Sequence, residues 1–298
     1  MNTHKKSKIG FSILAFARPE GLLMCVQSIE RYAPGIPIVI SIDTFLGDDE
    51  YLTLKNLETI EVATKLLKEG KIVGLFVSSS NLKTKRAWVW SMENSFTYFE
   101  HSIYFEDDLR LLSRPNDYLE SYLSPMAKGD RNFIATLYSS RVHTKGNWTS
   151  GFSVWPELWG VIMSEEIFTQ FQNFSDASHS EDSIKVSIVR WGEKNLTPFG
   201  KVFKAKILRF WSWKFQKALL SDTAWDTSLH YFIWNQDIPV MIPRTELVKD
   251  TGVDFTSVSK AKVIKEVKNC NYPLGLSSSE QKKCLGCKIK KEFSTISA

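Results

Sequence analysis

Four apolar runs, separated by stretches of helix length, limit what this chain can fold into. They are Ile9–Phe16, Ile38–Ile42, Lys71–Val77 and Ile103–Phe105. β-rich runs of this kind belong to strands buried on both faces, the pattern of a largely parallel sheet. Pro19 lacks an N–H and suits a first helical turn, so it is expected to open a helix over Glu20–Tyr32. Glu50–Glu69 places Leu52, Leu54, Leu57, Ile60, Val62, Leu66 and Leu67 on a broad apolar face. A third helix is expected from about Thr84 to Phe99. This alternation predicts an α/β fold with a mainly parallel, doubly wound sheet. The second half reads as less regular, with strands at Phe133–Leu137 and Ile238–Ile242, an apolar run Val161–Met163, and helices at Glu165–Phe171 and Trp225–Asn235.

The fourth run ends on Glu106, Asp107 and Asp108, three consecutive carboxylates before Leu109. Like charges at a strand end repel one another and are costly to desolvate without a counter-ion. A hard divalent cation, Mg²⁺ or Mn²⁺, resolves that conflict and completes its shell with substrate phosphates. Carboxyl ends of strands are also where open α/β sheets bind ligands. A solvated acidic turn is the plain alternative.

Composition excludes several classes. The net charge of +5 is modest and spread along the chain, too little to argue for nucleic acid. No stretch reaches the roughly 20 apolar residues of a membrane-spanning helix. Met1–Lys8 is polar and basic, unlike an export signal, so a cytoplasmic protein is expected. The Asn147, Asn173 and Asn195 glycosylation patterns then read as chance matches. Cys25 falls in a helical pattern and reads as a core residue. Cys284-Leu285-Gly286-Cys287, with Cys270 nearby, has the loop spacing of half a zinc site. Only three cysteines gather there with no histidine near them, which favours free thiols or a facultative disulfide.

Several ordered blocks resemble the GT-A fold nucleotide-sugar glycosyltransferases, above all the inverting N-acetylglucosaminyltransferase I type and its bacterial relatives. They are Ala15-Phe16-Ala17-Arg18-Pro19, Ile42-Asp43, Asn81-Leu82 with Lys85-Arg86-Ala87, Phe105-Glu106-Asp107-Asp108-Leu109, Pro156-Glu157-Leu158-Trp159-Gly160, and Ala224-Trp225-Asp226. Pro243 and Gly252-Val253-Asp254 follow. The resemblance covers roughly Ile9–Asp254. It implies a GT-A domain over residues 1–259, with a donor half to about residue 112 and an acceptor-side half after it, then a Lys-, Ser- and Cys-bearing tail over 260–298.

The same resemblance implies the site. Asp108 would hold the metal, Glu106 and Asp107 would face the ribose or donor sugar, and Asp43 would meet the nucleotide base. Asp226 would be the catalytic base that takes the acceptor hydroxyl proton. Arg18, Lys85 or Arg86 would stabilise the departing pyrophosphate. The implied cofactors are Mn²⁺ or Mg²⁺ and a nucleoside-diphosphate sugar, a UDP-sugar by expectation. The acceptor would be a glycan or lipid-linked sugar of surface-polysaccharide synthesis. Each role has an ordinary competitor: Asp226 as a helix cap, Asp43 as a turn residue, Arg86 as a solvated charge. His230, a turn beyond Asp226, reads as a structural or supporting residue.

Two departures stand out. Lys83 follows Asn81-Leu82 where the family often has glycine, and Asp254–Lys260 lacks the histidine that family members tend to carry. These motivate an alternative, a non-catalytic glycan- or membrane-binding protein on a transferase scaffold. A sugar-phosphate nucleotidyltransferase is less favoured, because Phe16–Gly21 is not a Gly-rich phosphate loop. Lys201–Lys214 mixes basic and aromatic residues and raises peripheral contact with the inner membrane face. Its charges fall on all sides of a helix, which favours a helix or loop near the acceptor site.

Overall fold

The computed structural model describes residues 5–45, 47–127, 133–139, 150–153, 157–176, 184, 186–187, 190, 215 and 224–251. All belong to one compact unit, Met1–Thr251. Strand β1 (Ser7–Ala15) leads into helix α1 (Pro19–Tyr32), β2 (Ile38–Ile42), α2 (Glu50–Lys68), β3 (Gly74–Val77), α3 (Lys83–Phe96) and β4 (Phe99–Glu106). Pro19 is the first residue of α1, and Asp49 caps α2 by accepting the Leu52 N–H at 3.0 Å. After β4 come β5 (Leu109–Leu111), α4 (Asn116–Ala127), β6 (Ile134–Thr136), β7 (Ser150–Ser153), β8 (Val161–Ser164), α5 (Glu165–Asp176), α6 (Trp225–Asn235), β9 (Val240–Pro243) and β10 (Val248–Asp250).

Eight strands form one sheet in the order β3-β2-β1-β4-β8-β6-β9-β7. β3, β2, β1, β4, β6 and β9 run one way, and β8 and β7 run against them. The fold is therefore mixed α/β with a mostly parallel central sheet, consistent with a GT-A-like arrangement. A separate antiparallel pair joins β5 to β10.

Alternation along β4 divides the core. Ile103 and Phe105 enter a cluster with Leu22, Cys25 and Val26 of α1 and Leu119 and Tyr122 of α4. Tyr104 enters a second cluster with Trp88 and Met92 of α3, Phe168 and Phe171 of α5, and Leu229 and Phe232 of α6. A strand residue's side chain alternates between faces, so a continuous apolar run serves both helical layers. The buried Cys25 agrees with its reading as a core residue, and burial raises its thiol pKa.

The strand order also fixes where a ligand fits. The chain steps outward through β2 and β3, then returns to place β4 on the other side of β1. That reversal leaves a crevice beyond the carboxyl ends of β1 and β4, the usual ligand position in such sheets. Register keeps the ends level: Leu14 pairs with Glu106 and Ala15 with Ile42. Arg18, Asp43 and the acidic triplet thereby come to one edge of the sheet.

Candidate active site

The acidic triplet is split by the end of its strand. Glu106 is the last residue of β4, and Asp107 and Asp108 make the turn into β5. Arg18, just before α1, reaches both aspartates: its Nη1 lies 2.7 Å from Asp107 Oδ1 and 2.7 Å from Asp108 Oδ2. The other Asp107 oxygen accepts the Phe16 N–H at 3.1 Å. Sequence reasoning looked to a metal for the counter-ion, and the protein itself supplies one. Asp107 is thus buried and turned toward β1.

One cation does not neutralise the cluster. Burial first, then Asp108 and Asp107, push the Glu106 carboxyl up to about 7, against the Trp225 hydrogen bond and Arg18. Burial also pushes Asp108 up to about 6, with Asp107 and Asp250 adding to the rise and Arg18 opposing it.

A cavity of about 230 Å³ opens beside the turn, lined by Tyr104, Glu106, Asp108, Leu109, Leu158, Trp159, Trp225, Asp226, His230 and Asp250. Four separate segments of the chain converge there. Trp225 is the first residue of α6, and its Nε1–H donates to Glu106 Oε1 at 3.2 Å. Tyr104 donates its hydroxyl to the same oxygen at 3.3 Å. The Trp225 ring stacks on Trp88 at 5.0 Å and 10°, and meets Tyr104 edge-on at 5.1 Å. Those contacts fix the indole, and the indole fixes the carboxylate.

Asp226 follows at the second position of α6. Ala224 occupies the N-cap and makes no side-chain cap bond, so Asp226 is not the cap residue. Its Oδ1 accepts the Thr227 N–H at 2.7 Å, and the side chain is exposed on the cavity. His230 also lines the cavity, with Nδ1 2.9 Å from the Asp226 carbonyl oxygen.

The remaining expected residues lie apart from this cavity. Asp43 follows directly on β2 and is buried; its Oδ1 accepts the Leu82 N–H at 2.8 Å and the Ser78 hydroxyl at 3.2 Å. It therefore ties the β3–α3 loop to the sheet edge, and burial still raises its pKa. Arg86 is exposed on the first turn of α3 and does not line the cavity. Among the described residues, no group of three or more His, Cys, Asp or Glu side chains could by itself hold a metal ion.

No protein-family model matches this chain, and no curated protein matches it. Its similarities are to solved structures. The structure of S. aureus TarS residues 1–349 in complex with UDP is 8% identical, with 97% of this chain and 72% of that one covered at a TM-score of 0.47. A longer structure of S. aureus TarS gives the same identity and TM-score, with 44% of that chain covered. A third, of residues 1–349, covers 59% of this chain and 53% of that one at 9% identity and a TM-score of 0.37. These likenesses are too distant to carry a functional argument, which rests on the geometry.

Sequence reasoning missed two members of the site. Trp225 was seen only as a companion of Asp226, yet it sets the Glu106 carboxylate. Asp250 was not singled out; β10 pairs it with Leu109, and Thr251 donates its N–H to the Asp108 carbonyl at 2.9 Å. The Trp-Asp pair offered a signal for the first, and nothing local offered one for the second. The Lys201–Lys214 stretch, Trp155-Pro156, Gly252-Val253-Asp254, Asn147, Asn195 and the tail cysteines lie outside the described residues.

Proposed function

We propose that this chain is a metal-dependent, inverting glycosyltransferase. It would move a sugar from a nucleoside-diphosphate sugar, a UDP-sugar first, to a hydroxyl of a glycan or lipid-linked acceptor. The observation that carries this reading is the meeting of two groups of carboxylates in one cavity. Glu106 and Asp108 come from the carboxyl end of β4, and Asp226 comes from the start of α6. The first group suits a cation and a diphosphate; the second suits proton removal from an attacking hydroxyl.

The donor set supports a hard divalent cation. Asp108 and Asp250 are oxygen donors; burial first, with the Asp107 and Asp250 charges adding to it, raises the Asp108 pKa against Arg18, and a bound cation would relieve that cost. Two protein carboxylates leave the rest of the shell to phosphate oxygens and water, the usual habit of Mg²⁺. When bound, the ion would offset negative charge growing on the leaving diphosphate. Asp226 would take the acceptor proton as the acceptor oxygen bonds to the anomeric carbon; the carbon–phosphate-oxygen bond breaks and its electron pair leaves with the diphosphate. Glu106, aimed by Trp225 and Tyr104, would orient the donor sugar.

Asp43 and Arg86 would serve the base and the phosphates, the catalytic domain would extend to about residue 259, and the protein would work in the cytoplasm at the inner membrane face. Among the described residues no helix is long and apolar enough to cross a membrane. Arg18 favours a second reading, because a cation already holds Asp108 as a binding protein would need.

Thermal stability against UDP, GDP, CDP and dTDP, each with and without Mn²⁺, separates the two. A ligand that binds only the folded chain raises the melting temperature. A metal-dependent rise with one nucleotide is expected; none with any of them returns the chain to the binding-protein reading.

A further inference from the structure

The sheet ends at β3, which pairs with β2 and, among the described residues, has no strand on its other side. Open edges recruit other strands through their N–H and C=O groups, and proteins commonly guard them with lysine or proline. Gly74–Val77 reads Gly-Leu-Phe-Val and carries neither a charge nor a proline. Val73, just before it, and Val77 at its end are 46% and 43% exposed. Leu75 between them packs into the core cluster shared by α1 and α2. Strand side chains alternate, so Val73, Leu75 and Val77 lie on the face that α2 covers.

Helix α2 brings a second apolar strip to the same edge. It packs on β2, β3 and α1, and Lys55 marks its α1 side, with Nζ 3.4 Å from a Glu20 oxygen. At about 100° per residue, Leu57, Ile60, Thr64 and Leu67 fall a third to a half of a turn round from Lys55, away from α1. Leu57 is 54% exposed, and Leu67 is open as well. The helix is also charged from end to end. Asp48, Asp49 and Glu50 are exposed at its start, and Lys65 and Lys68 stand in its last turn. The 3.9 Å contact of Lys65 with Glu69 is a solvated one and leaves that polarity in place.

We propose that this edge pairs with a second copy of the chain, β3 antiparallel to β3 about a two-fold axis at Leu75, with the two α2 helices side by side. That register sets Val73 of each copy against Val77 of the other and covers both exposed valines. The Val73 N–H bonds the Ile38 carbonyl, so by alternation the Gly74 and Phe76 groups face outward and exchange bonds across the axis. Strands lie about 4.8 Å apart, which brings two helices seated over their β2–β3 pairs to about 10 Å, the packing distance of helices. The Lys71 N–H bonds the Leu66 carbonyl, so strand and helix depart from one level. Leu75, about 13 Å up the strand, is then level with a point about nine residues back along α2, near Leu57. Asp49 and Glu50 of one copy therefore meet Lys65 and Lys68 of the other. One symmetry operation satisfies the open strand, the leucines and both charged ends, which a lone peptide on the edge would not. The carboxyl ends of the strands point opposite ways in the two copies, so both cavities stay open, and the pairing is independent of the transferase reading.

The test is sedimentation velocity on the full chain over about 1–100 μM, where a dimer that dissociates on dilution is expected. Val77→Lys places a charge on the open edge, and Leu57→Lys brings two lysines together near the axis. Each should weaken the dimer by about a hundredfold. Leu112→Lys, at a 39% exposed apolar residue beside the separate β5–β10 pair, should leave it unchanged. A charge swap tests the symmetry directly and needs no change in the apolar strip. Glu50→Lys chains and Lys65→Glu chains should each dimerise less well alone and pair with one another when mixed. A chain that stays monomeric throughout has its edge covered by some other segment or partner, which overturns the proposal. So does a dimer that survives Val77→Lys and Leu57→Lys, or one in which the mixed charge-swapped chains gain nothing.

Discussion

The two halves of the described unit are built on different terms. From β1 to β4 each strand lies parallel beside a neighbour and is covered by the helices around it. Its polar features hold that frame: Asp43 pins the β3–α3 loop, and Arg18 clamps Asp107 and Asp108. After Leu112 the strands are three or four residues long, two of them run against the sheet, and β10 crosses back to pair with β5. The first half is a rigid edge for a ligand. The second is assembled from long-range contacts and brings Asp226, Trp159 and Asp250 to that edge. Chemistry that needs groups on both sides of a reacting bond is served by such a seam, because one half can vary while the other stays fixed.

The largest expected effect tests whether the halves divide the labour. Asp226→Asn removes the candidate base while keeping the side chain's shape. Transfer should fall by about 10²–10⁴-fold, with the UDP–Mn²⁺ thermal shift unchanged. A variant that loses nucleotide binding as well would show that the acceptor half also builds the donor site. One that melts early yet turns over would assign Asp226 to helix stability alone.

Trp225 is the seam itself. It is 7% exposed, stacked on Trp88 of the first half and bonded to Glu106. Trp225→Ala should cost about 3–5 kcal/mol in urea unfolding, as a large aromatic removed from a packed site does. Trp225→Phe keeps most of the ring contact and deletes only the Nε1–H bond. It should recover most of the stability while weakening donor binding, measured by isothermal titration of the nucleotide sugar. Equal nucleotide-sugar affinity in Trp225→Phe and parent would confine the residue to packing.

How much of this was legible in the sequence follows the same division. The β1–β4 runs, Pro19 at the start of α1 and the carboxylates at a strand end were readable, because burial on two faces leaves a continuous apolar signal. α4, β5, β7 and β10 were not. β6, β8 and β9 are as short but carry continuous apolar runs, whereas Ser150–Ser153 and Val248–Asp250 do not, and their pairing depends on distant partners; Pro125 inside α4 reads as a helix breaker. α5 extends past the expected Phe171 to Asp176, and β3 begins at Gly74 within the wider apolar run. The role of Arg18 as counter-ion also escaped: an arginine before Pro19 reads as a phosphate ligand or a surface charge until β1 and β4 are set side by side. Asp250 needed the β5–β10 pair before it had a place.

A buried histidine probes how firmly α4 is docked on β4. His101 lies in β4 with Nδ1 3.2 Å from the Tyr122 hydroxyl of α4, and the rings meet edge-on at 5.5 Å. Burial first, then the Lys8 charge, lower its pKa to about 4, with Glu100 opposing. Below its ordinary pKa of 6.5 the unfolded chain takes up a proton that the folded chain refuses. Stability from this group is therefore complete above pH 6.5, declines as pH falls toward 4, and declines no further below that. The loss should be on the order of 3 kcal/mol between the two ends. His101→Gln, which does not titrate there, should flatten that part of the urea-midpoint profile. An identical slope in parent and variant would show that His101 does not set this part of the profile; Glu106 and Asp108, whose pKa values are raised, act in the opposite sense and gain stability as pH falls.

The smallest effect belongs to the regular half, at the left-handed residue that opens α3. Lys83 sits at φ +63°, a left-handed backbone that costs a residue with a Cβ about 1 kcal/mol. Its neighbours define that conformation: the Leu82 N–H is held by Asp43, and the Lys83 N–H points to Asn81 Oδ1 at 3.2 Å. Glycine adopts this backbone freely but gains entropy when unfolded, so Lys83→Gly should stabilise by at most about 1 kcal/mol. Lys83→Ala keeps the strain and removes only the charge, and should leave the urea midpoint nearly unmoved. If glycine gives no gain while either variant weakens nucleotide binding, the lysine is kept for its charge at the donor edge, and the strain is the cost of placing it there. If glycine stabilises and binding is unchanged, the left-handed residue concerns the loop alone, and the rigidity of the first half rests on Asp43 and not on the residue that follows the loop it holds.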